Sequence, residues 1–261
     1  MKEIKLPAFS GHVAVLQLEN LDDTSRIDTY LRSIPPASVI LMGEYVANEF
    51  FSPKWRNDPP PSLRDDGILD KLKRLAKEHS HAVVAPIVQY KNKSYYKSMA
   101  LISEEKVHLY NQQRLIQYEH WNESAFFSNG DSKMLKCPLV FSGGDMRFGV
   151  MFGFEAHFDE LWMELKKAEV DIVLVATASA FALPRWQALL TTHAFTNSCF
   201  VVRANRIGSH ESEDGHRWDF HGNSFASLGP DMVDSLGQDE GLLCVEVDKK
   251  ALDDLRERWK F

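Results

Sequence analysis

The order of strand-like and helix-like segments is the feature that most constrains the fold of this chain. The strand-like runs "HVAVLQL" and "SVILMGE" are separated by a short helical segment, whereas "HAVVAPIVQY", "SYYKSMALI" and "KVHLYN" follow one another directly. A helix between two strands is typical of parallel pairing, and direct succession is typical of antiparallel hairpins. This mixture predicts two sheets packed face to face with helices outside them, rather than a simple doubly wound sheet.

The second half of the chain repeats the alternation. The strands "RFGVMFGF", "VDIVLVATA" and "CFVVRAN" are separated by the helices "FDELWMELKKA" and "PRWQALLTTHAFTN", and the strands "HGNSFASL" and "GLLCVEV" precede a last helix, "KKALDDLRERW". Three polar stretches are predicted to be surface loops: "NDPPPSLRDDG", residues 116–132 and "SHESEDGHRWDFH". Because we find no repeat, linker or break in composition, we expect one domain spanning residues 1–261.

Charge and composition exclude several classes of partner. The net charge is −7 and there is no basic run, which disfavours nucleic acid and anionic membranes. The chain begins without a sustained apolar segment, and "IVLVATASAFAL" is too short to span a bilayer, so we expect a cytoplasmic protein. The three cysteines have no metal-ligand spacing and are predicted to be free thiols, and the histidines form no compact ligand motif. We therefore expect neither metal nor cofactor.

The turn that follows "RFGVMFGF" carries Gly153. Enzymes often place a nucleophile on a turn of this kind, between a buried strand and a helix. Glycine has no side chain and tolerates backbone angles that other residues avoid. The sequence therefore predicts a strained turn that glycine accepts without steric cost.

Several segments together resemble the nitrilase superfamily of carbon–nitrogen hydrolases, over nearly the whole chain. In chain order they are "VAVLQL", "VILMGEYVANEFF", "YNQQRL", "ESAFFSNGD", "GVMFGFEAHFDEL", "WQALLTTHAFTNSCFVVRANRIG" and "FHGNS". Six or more matches in one order are much more specific than any one of them. The resemblance implies a four-layer α-β-β-α sandwich that pairs through its outer helices into a homodimer or higher homo-oligomer. Trp162, Leu165, Trp186 and Leu190 are the expected apolar contributors to that interface.

The resemblance also implies a set of site residues. The family uses a cysteine thiolate as nucleophile, a glutamate as general base and a lysine that stabilises the charged intermediate. The glutamate position is Glu44, the lysine position is Gln112 and the cysteine position is Gly153. The expected pocket residues around them are Glu123, Arg114, Phe154, Glu155 and His157.

Loss of the lysine and the cysteine has three expected consequences. The absence of two larger side chains should open the pocket, and water, a different ligand or neighbouring side chains must then fill the space. The carboxyl group of Glu44 should take up a proton more easily than in active relatives, since no ammonium lies beside it. Arg114, two residues beyond Gln112 and expected on the same strand face, could partly replace the cation.

Whether the chain is an enzyme stays open. The leading hypothesis is a catalytically inactive relative that binds a small amide- or carboxylate-like ligand, or a partner protein. The alternative is an amide hydrolase in which Glu44 activates water directly, without a covalent intermediate. A third hypothesis is a purely structural dimerisation module.

Overall fold

The computed structural model describes residues 3–63, 67–130 and 135–259. Five α-helices lie within these ranges: α1 Thr24–Arg32, α2 Gly67–Glu78, α3 Asp159–Lys167, α4 Leu183–Thr196 and α5 Lys249–Trp259. The strands in the same ranges are β1 His12–Gln17, β2 Val39–Met42, β3 Ala82–Lys91, β4 Ser94–Ser103, β5 Lys106–Asn111, β6 Gln117–Tyr118, β7 Trp121–Asn122, β8 Val140–Gly143, β9 Met146–Phe152, β10 Ile172–Thr177, β11 Phe200–Asn205, β12 Ile207–Glu211, β13 Arg217–His221, β14 Phe225–Leu228, β15 Asp231–Ser235 and β16 Gly241–Glu246.

The strands form two large mixed sheets and two small hairpins. The first sheet has the order β16-β1-β2-β3-β4-β5, and the second has the order β15-β14-β11-β10-β9-β8. In each sheet the three strands joined through helices are parallel, namely β1, β2, β3 and β9, β10, β11. The strands that follow one another directly are antiparallel. The chain order of helices and strands therefore sets the direction of pairing.

Three apolar layers hold the sheets and helices together. Alternate residues of both sheets, among them Val15 and Val150, fill the space between the sheets. The opposite face of the first sheet packs on α1 and α2, and that of the second sheet packs on α3 and α4. Helix α2 buries Ile68, Leu72 and Leu75 at the spacing that places side chains on one helical face. The predicted α-β-β-α sandwich is confirmed.

The side chains expected at a dimer interface lie inside the protomer. Trp162 and Leu165 of α3 and Trp186 and Leu190 of α4 are all at most 4% exposed and pack against the second sheet. The expectation that they are exposed was wrong, because a helix that covers a sheet must turn its largest apolar side chains toward that sheet. Met163 is a large apolar side chain of α3 that faces outward, at 55% exposed.

One predicted loop is a hairpin. "SHESEDGHRWDFH" forms most of β12 and β13, in which the apolar Trp218 and Phe220 alternate with the exposed Arg217 and Asp219. Trp218 and Phe220 pack on Trp121, which belongs to the small β6–β7 hairpin of the long loop. Exposed polar residues had concealed the two-residue periodicity of these strands. Residues 64–66 and 131–132 of the other predicted loops lie outside the described residues.

All three cysteines are free; Cys199 is buried, and Cys137 and Cys244 are partly buried. Within the described ranges, the helices are too short or too polar to cross a membrane.

Candidate functional site

The site lies where strand ends of the two sheets meet. Glu44 follows β2, and its backbone N–H donates to the carbonyl oxygen of Thr177 at the end of β10, at 3.1 Å. A Cβ atom on Gly43 would lie 2.8 Å from the backbone nitrogen of Arg206, so the close approach of the strands requires glycine there. This approach brings the Glu44 side chain to the turn after β9, where the Gly153 N–H donates to Glu44 Oε1 at 3.2 Å.

A buried lysine lies beside Glu44, and the sequence analysis missed it. The Nζ atom of Lys97, in β4, makes ion pairs with both Glu44 Oε2 and Glu123 Oε1. It also lies 4.7 Å from the ring centroid of Tyr45 and 5.4 Å from that of Phe152. The expectation that no ammonium accompanies Glu44 was therefore wrong. We call Glu44, Lys97 and Glu123 the carboxylate–lysine cluster.

Glu123 anchors this cluster. Its carboxylate accepts hydrogen bonds from the Tyr45 hydroxyl at 2.6 Å, from the Trp121 indole N–H at 3.3 Å and from the Ile116 backbone N–H at 3.2 Å. A fully buried carboxylate is tolerated when such donors and a cation surround it. Glu123 is thus fixed beside Lys97, although it was expected in the pocket and does not line the cavity next to Glu44.

Burial and mutual charge set the protonation of the cluster. Burial raises the pKa of Glu44, the Lys97 charge opposes this shift, and the Glu123 charge adds to it. Burial alone would lower the pKa of Lys97, but the charges of Glu123 and Glu44 outweigh it and raise that pKa. Lys97 is therefore a cation, and Glu44 is the carboxylate that protonates more readily than usual.

Gln112 and Arg114 do not supply the cation. Strand β5 ends at Asn111, so both residues lie beyond it, and the argument from a shared strand face was wrong. Gln112 donates from Nε2 to the Arg114 carbonyl oxygen at 2.6 Å, and the Arg114 guanidinium lies 5.6 Å from the ring centroid of Phe158. Gln112 is the direct neighbour of Lys97, because its N–H donates to the Lys97 carbonyl oxygen at 3.0 Å. The cation beside Glu44 therefore comes from strand β4, which pairs with β5. A lone lysine inside the mostly buried strand β4 was the signal that could have revealed it.

The lack of room for a side chain, and not backbone strain, accounts for glycine at position 153. Its angles, φ −57° and ψ −44°, are those of an ordinary right-handed helix, so the predicted strained turn is absent. A Cβ atom at this position would lie 2.7 Å from Thr177 Cγ2 and 3.2 Å from Glu44 Oε1. The Thr177 hydroxyl lies 3.0 Å from the Ala204 carbonyl oxygen and 2.8 Å from Asn205 Oδ1, and these contacts fix the position of the methyl group.

A small cavity of about 50 Å³ adjoins Glu44 and Gly153. Neighbouring side chains, one of the three expected ways of filling the vacated space, therefore occupy most of it. Tyr118 and Phe181, at 40% and 43% exposed, form its outer part. The other lining residues are Ile116, Trp121, Phe154, His157, Thr177, Ala178, Ser179, Ala180, Trp186 and Trp218. Phe154 and His157 thus line the cavity as expected.

Glu155 is buried but does not line this cavity. Its carboxylate accepts from the Gln113 N–H at 2.6 Å, the Phe152 N–H at 3.2 Å and the Tyr110 hydroxyl at 2.9 Å. Burial raises the pKa of Glu155 to about 7, against the lowering effect of these donors. Glu155 ties the segment after β5 to the turn after β9, so its place is structural and not in the pocket.

Comparison with known proteins agrees with this geometry. The family model described as carbon-nitrogen hydrolase matches residues 13–257. The chain belongs to the carbon–nitrogen hydrolase family. The N-carbamoylputrescine amidase of Solanum tuberosum is 26% identical, over 95% of this chain and 89% of that relative.

Solved structures of carbon–nitrogen hydrolases share the fold. A carbon–nitrogen hydrolase from Helicobacter pylori aligns with a TM-score of 0.81 at 17% identity, over 96% of this chain and 93% of the other. An amidase from Nesterenkonia sp. aligns with a TM-score of 0.75 at 21% identity, over 95% and 94% of the two chains. The nitrilase-superfamily interpretation of the sequence is confirmed.

One candidate cation group lies elsewhere. Among the described residues, Asp28, Glu78 and His79 bring three ligand atoms within 4.8 Å of one another. His79 Nε2 already lies 2.9 Å from Asp28 Oδ1, and Glu78 is exposed. This group is separate from the carboxylate–lysine cluster.

Proposed function

We propose that this carbon–nitrogen hydrolase family member does not cleave amides by the thioester route and instead binds a small ligand at the Gly153 cavity. The observation that carries the proposal is the position of the Thr177 methyl group, 2.7 Å from the place of a Cβ atom on residue 153. The chain has no attacking atom at this position, and neighbouring side chains occupy the space that a side chain on residue 153 would need. Removing the nucleophile of a covalent-catalysis enzyme costs on the order of a millionfold in rate.

The size of the cavity supports a small ligand. Sites for drug-sized molecules span roughly 300–1,000 Å³, whereas this cavity measures about 50 Å³. The relatives named N-carbamoylputrescine amidase act on a carbamoylated diamine, which needs considerably more room. Our proposal is therefore confined to ligands of a few non-hydrogen atoms, among them the small amides expected from the sequence.

A second candidate function is hydrolysis through water activated by Glu44. It is favoured by the position of Glu44 beside a cavity large enough for one or two water molecules. Its weakness is that both oxygens of the carboxylate are engaged, Oε1 by the Gly153 N–H and Oε2 by Lys97. A base already holding two donors abstracts a proton less readily.

Measuring ammonia release distinguishes ligand binding without hydrolysis from hydrolysis through water activated by Glu44. The native protein would be incubated with formamide, acetamide and N-carbamoyl amines, with an active amidase as positive control, and examined by mass spectrometry for acyl adducts. We expect neither adduct nor turnover. Turnover that disappears in Glu44→Gln would replace the proposal by the water-activation mechanism.

We also propose a homodimer in the cytoplasm. Support comes from the outward-facing Met163 on α3 and from three cysteines that are all free, as is usual in reducing compartments.

A further inference from the structure

The cavity beside Gly153 combines one carboxylate with aromatic walls. Glu44 lines it on one side, and six of the other lining residues are phenylalanine, tyrosine or tryptophan: Tyr118, Trp121, Phe154, Phe181, Trp186 and Trp218. The face of an aromatic ring carries partial negative charge and attracts cations that approach within about 6 Å of its centre. The lining is thus suited to a cation and not to an anion.

The charged groups next to the cavity also favour a cation. When all three groups of the carboxylate–lysine cluster are ionised, two negative charges share the single positive charge of Lys97. Arg206, also buried nearby, donates to the backbone carbonyl oxygens of Tyr45 and Glu19 rather than to a carboxylate of the cluster. The charges that act on Glu44 are those of Lys97 and Glu123. A buried excess of negative charge is costly until a proton or a cation compensates it.

We infer that this cavity binds a small organic monocation of about the size of methylammonium, whose N–H groups donate to the Glu44 carboxylate while its carbon packs on the aromatic walls. The inference rests on the proposed function, because it names the ligand class of the same cavity. A carboxylate can accept about four hydrogen bonds, so Glu44 keeps capacity beyond the bonds from Gly153 and Lys97. A carboxylate-like ligand, which the sequence also suggested, is repelled by the same charge.

Protons and the ligand compete for Glu44. Burial raises the pKa of this carboxyl group, so acidification neutralises Glu44 before it neutralises an ordinary glutamate. His157 also lines the cavity. The competition for Glu44 predicts that affinity for a cation falls as the pH is lowered.

Ligand-observed NMR titration at constant ionic strength tests the inference with three probes: methylammonium chloride, acetamide and sodium acetate. A ligand with two non-hydrogen atoms is expected to bind with a dissociation constant no tighter than about several millimolar. Glu44→Gln should weaken methylammonium binding about tenfold or more, since a hydrogen bond to a charged group is lost. Glu119→Gln, an exposed acid on the β6–β7 turn, removes the same net charge outside the cavity and should change nothing.

Trp218→Leu is the second variant. It keeps the charge of the cavity and removes an aromatic wall, so methylammonium binding should weaken while acetamide binding should not. Binding of acetamide in preference to methylammonium would overturn the inference and leave the proposed function intact. Binding of none of the three probes would overturn both the inference and the ligand-binding role. Release of ammonia from acetamide would instead contradict the non-hydrolytic role.

Discussion

At the scale of single residues, Lys97 has the greatest influence on the site. Its ammonium group is buried between Glu44 and Glu123, so its removal leaves two carboxylates without a counter-ion. We expect Lys97→Met to lower the free energy of unfolding at neutral pH by about 3–5 kcal/mol, the usual cost of breaking a buried pair on one side. The loss should shrink in acid, because protonation removes the repulsion. Urea unfolding at several pH values measures the loss of stability and its dependence on pH.

The control for Lys97 is an exposed lysine that pairs with a surface glutamate. Lys167→Met removes a surface pair with Glu164 and should cost at most about 1 kcal/mol. Equal losses for the two variants would show that Lys97 is not the counter-ion of the cluster.

A second prediction at this scale concerns Gly153 and Thr177. Gly153→Ala places a Cβ atom 2.7 Å from Thr177 Cγ2 and should destabilise the protein by about 1–3 kcal/mol through overpacking. Thr177→Ser removes this methyl group and keeps the hydroxyl, so it should relieve most of that cost. A double-mutant cycle by chemical denaturation measures the coupling. Additive effects would mean that the alanine is accommodated in another way.

Residues 153 and 177 also test whether a cysteine placed at residue 153 could react. In Gly153→Cys the new side chain meets Thr177, whereas in Gly153→Cys with Thr177→Ser it has room beside Glu44 and Lys97. We expect the double variant to react faster with iodoacetamide than the single variant does, because its thiol is less strained and has a base and a cation nearby. Peptide mapping would locate the adduct, and equal rates in the two variants would contradict the role of the Thr177 methyl group.

At the scale of secondary-structure elements, Glu155 links the end of β5 to the turn after β9. Burial raises its pKa from 4.5 to about 7. A raised pKa means that the folded protein binds this proton more tightly than the unfolded chain does, so the stability contributed by the group is complete below about pH 4.5 and is lost as the pH rises through about 7. The shift corresponds to about 3 kcal/mol.

Glu155→Gln should therefore remove a pH-dependent part of the stability. The difference in unfolding free energy between native protein and variant should change between about pH 4.5 and 7 and be flat above that range. Glu119→Gln, whose carboxylate is exposed, is the control for the background slope. A constant difference between native protein and Glu155→Gln across the range would refute the raised pKa.

At the scale of the whole molecule, the homodimer is still a prediction. Trp162 and Trp186 cannot form its interface, because both pack against the second sheet. Met163 remains on the outer face of α3. We expect Met163→Asp to shift a dimer toward monomer in light scattering at micromolar concentration with little change in thermal stability, whereas Trp162→Asp should unfold the protomer. A native monomer at that concentration would contradict the proposal.

The sequence by itself determined the sandwich, and its resemblance to the family identified the positions of Glu44 and Gly153. The order of strands and helices fixes which pairs are parallel, and apolar periodicity fixes which faces are buried. The tertiary structure alone revealed Lys97 beside Glu44 and the Thr177 methyl group beside Gly153. Lys97 and Glu123 lie 26 residues apart, and Gly153 and Thr177 meet across neighbouring parallel strands. Contacts of this kind depend on register and side-chain direction, which a local pattern along the chain does not encode.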